Sequence, residues 1–66
     1  MGDADKIEEL ADVVARVAED VADLALAELR AQANGDESAK AREKLLASAR
    51  RSLMKAEHSL RAAIRS

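Results

Sequence analysis

Two apolar stripes, each with the period of an α-helix and separated by one break, leave this chain few folds to choose from. In the first stripe Ile7, Leu10, Val14, Val17, Val21 and Leu24 follow one another at alternating spacings of three and four, with Ala11, Ala18 and Ala25 beside them. In the second, Leu46, Ala49, Leu53, Ala56, Leu60 and Ala63 repeat that spacing, with large and small residues in alternation. Residues three and four apart share a helix face, so each stripe is the apolar side of one helix. Between them stands RAQANGDESAK, Arg30 to Lys40, almost at the midpoint of the 66 residues. Asn34 and Gly35 tolerate the left-handed backbone that ends a helix, and Asp36 can cap the next one. The pattern predicts a helix over about residues 5–33, a turn at Asn34-Gly35-Asp36 and a helix over about 37–65, all one hairpin domain spanning 1–66.

Composition and end signals agree. Proline and aromatic residues are absent, and the abundance of Ala, Leu, Glu, Lys and Arg favours long helices over strands. Asp5 is the expected N-cap of the first helix, with Glu8 three residues on in the manner of a capping box. Acids crowd the first turns of that helix, and Arg61 and Arg65 the last turns of the second, both in the sense the helix dipole favours. Helices of about 28 residues at 1.5 Å per residue make a rod of roughly 40 Å, and the short connection makes them antiparallel neighbours. A hairpin centred on Gly35 pairs residues whose numbers total about 70. That register sets Leu10 beside Leu60, Val17 beside Leu53, Leu24 beside Leu46, Val14 beside Ala56 and Val21 beside Ala49. It also sets Glu28 against Arg42, the two charges that interrupt the stripes.

A chain this short buries little of its surface, and no cysteine is present to staple it. Two helices with one stripe each leave one side of every apolar residue in water, so association is the remaining reinforcement. The expectation is an all-α hairpin that forms a homodimeric four-helix bundle. Its oligomer core would be Ile7, Leu10, Val14, Val17, Val21 and Leu24 with Leu46, Ala49, Leu53, Ala56, Leu60 and Ala63. In this layering of large against small residues over its whole length the chain resembles the Rop-type bundles, small helical hairpins that dimerise. The resemblance implies architecture only. Rop-type members that bind RNA use an aromatic residue on the surface of their first helices, whereas here the first helix is acidic and lacks one. Agreement of cap, pattern and charge is also what a designed helical oligomer displays. Val13, Val14, Leu26 and the serines of the second helix depart from such idealisation.

Few residues suggest chemistry. His58 is the only histidine, and counting 100° per residue from Leu46 it points out of the helix, so solvation rather than ligation with Glu57 or Met54 is its expected state. Ser48, Ser52 and Ser59 have no base and orienting group at hand for nucleophilic catalysis and are expected to fill small spaces at the edge of the seam. The carboxylate pairs Glu8 with Asp12 and Glu19 with Asp23 read as solvated charge. No glycine-rich phosphate loop exists, Gly2 and Gly35 being the only glycines. The expectation is therefore a non-enzyme with no cofactor, no metal and no small-molecule substrate.

Charge is more informative. Residues 1–35 hold nine acids and three bases, a net −6, while residues 36–66 hold eight bases and four acids, a net +4. Lys40, Lys44, Arg50, Arg51, Lys55, His58, Arg61 and Arg65 are expected on one outer side of the second helix. Lys44, Arg50, Arg51, Lys55, Arg61 and Arg65 form a candidate nucleic-acid face, and the rival to a structural role is a small regulator binding RNA or DNA there. The acidic balance of the whole chain weighs against it. Membrane binding lacks aromatic anchors. The start MGDADKIEEL is acidic where a secretory leader is basic and then apolar, so a soluble, cytoplasmic protein is expected.

Overall fold

The computed structural model describes residues 2–66. They form two α-helices, α1 (Asp3–Ala33) and α2 (Ser38–Arg65), packed together as an antiparallel hairpin whose longest dimension is 51 Å. The rod is longer than the sequence implied because α1 has 31 residues and begins at Asp3. Asp5 is thus inside the helix and caps nothing. Gly2 precedes the helix in an extended conformation, without a side-chain cap, and its carbonyl accepts the Asp5 N–H at 3.1 Å. Asp3 and Asp5 both stand in the first turn, where a carboxylate favours the positive helix end without bonding to it directly.

The turn closes by backbone geometry. Gly35 takes φ +100°, the left-handed region that glycine enters freely. Its N–H donates to the Gln32 carbonyl at 3.0 Å, and the Asp36 N–H donates to the Ala31 carbonyl at 3.0 Å. These two bonds make a Schellman motif and satisfy carbonyls that the end of α1 leaves over. Asp36 then prepares α2. Its Oδ1 accepts the Ser38 N–H at 3.0 Å and the Ser38 hydroxyl at 2.6 Å, and its carbonyl accepts the Ala39 N–H at 3.2 Å. Asp36 therefore satisfies an orphan donor at the helix start, although the regular helix begins two residues later.

Between the helices lie small residues of α1 and large ones of α2. Ala11 and Ala18 of α1 and Ala39 of α2 are buried. Ile7, Val14 and Val21 of α1 and Leu46, Leu53, Leu60 and Ile64 of α2 are half-buried around them. Leu10, Val17, Leu24, Ala49, Ala56 and Ala63 are exposed. This corrects the layering expected inside one hairpin: Ala49 and Ala56 do not fill the seam opposite Val21 and Val14. On α1 the alanines beside the stripe take the contact line, which leaves room for the leucines of α2 to turn toward it and its alanines outward. Ser48, Ser52 and Ser59 are exposed too, rather than filling spaces in the seam.

Candidate interaction surfaces

The off-centre packing gives the hairpin two unlike broad faces. Counted at about 100° per residue from Ala18, Leu10, Val13, Val17 and Leu24 lie about 80–140° to one side of the contact line on α1. Counted from Glu57 on α2, Leu45, Ala49, Ala56 and Ala63 lie about 80–120° to one side. Because the helices run in opposite directions, these two sets share one face of the hairpin. It is apolar and open: Leu24 is 56% exposed and Leu45 72%. Among the described residues no large side chain is fully buried.

The opposite face carries a shallow groove, charged along one stretch and largely apolar along the next. One stretch is lined by Ala15, Ala18, Glu19, Asp23, Arg50, Met54 and Glu57, and it continues past Ala22, Leu26, Leu29, Ala47 and Arg51. Here the acids of α1 look across at the bases of α2. Farther along, Arg61 Nη2 donates to Asp12 Oδ1 at 3.1 Å and Arg61 Nε to Glu57 Oε2 at 2.9 Å. These bonds, Glu57 first, hold the Arg61 guanidinium more firmly protonated than usual. Only a third of the Arg61 side chain is exposed. Arg61 therefore drops out of the candidate nucleic-acid face, and Asp12 is bonded rather than simply solvated. Arg50 and Arg51 border the groove, and they, Lys40, Lys44, Lys55, His58 and Arg65 are exposed. The Asp12–Glu57–Arg61 tie was missed in sequence, where only the spacing of four between Glu57 and Arg61 hinted at it.

At the turn end, a polar cluster bounds the apolar face. Arg42 Nε donates to Glu28 Oε2, Nη1 to the Ser38 hydroxyl at 2.9 Å, and Nη2 to Asp36 Oδ2 at 3.0 Å. The Glu28–Arg42 pair is the one expected from the register centred on Gly35. The Ser38 hydroxyl and the Arg42 guanidinium hold the Asp36 carboxyl below its ordinary value, and Glu28 with Asp36 push Arg42 further into its charged form. One arginine thus joins α1, the turn and α2.

Among the described residues no group of three or more His, Cys, Asp or Glu side chains is arranged to hold a metal ion, and no helix is long and apolar enough to cross a membrane. Comparison with protein families, with characterised proteins and with solved structures found no match to this chain.

Proposed function

We propose that the chain is a non-catalytic, self-associating helical hairpin with a structural role, two copies of which close a four-helix bundle. The observation that carries this reading is the broad apolar face, where Leu10, Val13, Val17, Leu24 and Leu45 are left in water together, while the other exposed large apolar residues, Leu26, Leu29 and Met54, lie along the groove. Isolated apolar residues on a surface need no explanation, but a contiguous face of them marks an interaction site.

Area supports the same reading. The hairpin exposes 4955 Å² at 7.1 kDa, where a compact monomer of that mass exposes about 4,100 Å². The excess of roughly 850 Å² is close to the ~800 Å² per partner covered in a stable protein interface. Its radius of gyration, 15.2 Å, likewise exceeds the ~11 Å of a compact chain of this length.

When folding and association are linked, the thermal midpoint rises with protein concentration. We expect that rise between micromolar and millimolar protein, together with twice the chain mass in sedimentation equilibrium. A single 7.1 kDa species with a concentration-independent midpoint would remove the reading. The alternative, nucleic-acid binding through α2, draws on the exposed Lys40, Lys44, Arg50, Arg51, Lys55 and Arg65.

A further inference from the structure

A second copy can cover the apolar face in two ways related by a two-fold axis. With the axis along the hairpin, both turns lie at the same end and each α1 rests on the partner's α2. With the axis across it, the turns lie at opposite ends and like helices meet. We infer that the turns lie at the same end, α1 of each copy running antiparallel to α2 of the other. This rests on the self-association proposed above and specifies which partner surface the face takes.

Charge is the first reason. Within its helical bounds α1 carries nine acids and three bases, a net −6, and α2 eight bases and two acids, a net +6. Like helices side by side would set −6 against −6 along one flank of the bundle and +6 against +6 along the other. Packed helices lie about 8–10 Å apart, so the charges nearest the contact, Glu9 and Asp20 on α1 and Lys44 and Lys55 on α2, would line each flank with charge of one sign. The charges that line the groove lie farther apart than the ~8 Å Debye length and contribute little. With the turns together, every helix has neighbours of opposite sign on both sides, one within its own hairpin and one across the interface.

The polar cluster at the turn end is the second, independent reason. Glu28 and Arg42 bond to each other at one level of the rod and interrupt the apolar stripes there. In the turns-together arrangement levels are preserved, so Glu28 meets the partner's Arg42 and Arg42 meets the partner's Glu28. The four groups form one closed charged layer of alternating sign. With the turns apart, the same cluster would lie over the far end of the partner, where Glu28 would come near the partner's Lys6 but Arg42 would lie over the partner's Leu60 and the partner's Ala63. That arrangement desolvates the Arg42 guanidinium against apolar surface, whereas the turns-together one gives both charges a second partner.

The test is a distance between identical labels. The chain has no cysteine, so Asn34→Cys, exposed in the turn, takes one nitroxide per copy. Dipolar electron paramagnetic resonance then reads the spacing, and sedimentation equilibrium on the same sample gives the mass. A dimer with labels no farther apart than two helix diameters, about 20–25 Å, is the expected result. A dimer whose labels are separated by nearly the 51 Å length of the hairpin overturns this orientation and leaves self-association standing. A monomer, or an assembly of more than two copies, overturns it together with the dimeric reading. Glu37→Cys, also exposed beside the turn, repeats the measurement and separates the arrangement of the chains from any disturbance of the turn by the first label.

Discussion

At the scale of single residues, Asp36 does the most with the least burial. One oxygen accepts from the backbone and hydroxyl of Ser38 and the other from Arg42, which together lower its pKa from the ordinary 3.8. A carboxyl whose pKa is lower folded than unfolded stabilises the fold while ionised. That contribution is present above the unfolded value and lost as pH falls through the folded one. Asp36→Asn imitates the protonated side chain. The difference in urea stability between the two proteins should therefore be constant from pH 7 to about pH 5 and close below about pH 4. A difference that persists unchanged at pH 2 would mean that the ionised carboxylate contributes nothing. Gly35 acts differently, through the backbone: a Cβ there meets no atom within 4 Å, yet φ +100° disfavours any other L-residue.

At the scale of the helices, what matters is which side of each helix faces the other. The contact line runs through Ala11, Ala18 and Ala39, with larger residues alongside. Ala11→Leu should drive the helices apart and cost about 1–3 kcal/mol in denaturant unfolding at every protein concentration, as overpacking does. Ala49→Leu leaves that line alone because Ala49 is exposed in the hairpin. Its effect should appear only as a changed mass or a changed dependence of the midpoint on concentration. A neutral Ala11→Leu, or an Ala49→Leu whose loss of stability is independent of concentration, would place the seam where the alternating stripe of α2 suggested it.

For the whole molecule, polarity is divided twice: an apolar face against one where charged residues mix with Leu26, Leu29 and Met54, and acidic against basic across the groove. The second division bears on nucleic-acid binding. The acids Asp12, Glu19 and Asp23 stand beside the bases that would follow a phosphate backbone, and Arg61 is already paired. We therefore expect no binding to duplex DNA or structured RNA at physiological salt, measured by fluorescence anisotropy across a salt series. Tight binding that weakens steeply with salt, and is abolished by reversing Arg50, Arg51 and Lys55 to glutamate at unchanged helicity and mass, would replace the structural reading with its rival.

The two helices, the break between them and the Glu28–Arg42 register were legible in the sequence because each depends on local rules. Helical bonds reach four residues, the Schellman turn needs one glycine at one position, and a tight turn leaves the adjoining residues a single pairing. Periodicity also showed that each helix has an apolar side, but that side is broader than one contact line can use. Its centre could fall on the large residues or on the alanines next to them. Only tertiary packing decided, since the fit of two helices depends on both surfaces at once: α1 turned its alanines to the seam and α2 its leucines, small against large. That same rotation turned Leu10, Val17 and Leu24 outward with Ala49, Ala56 and Ala63, drew Arg61 in against Asp12 and Glu57, and left one face of the hairpin for another surface to cover.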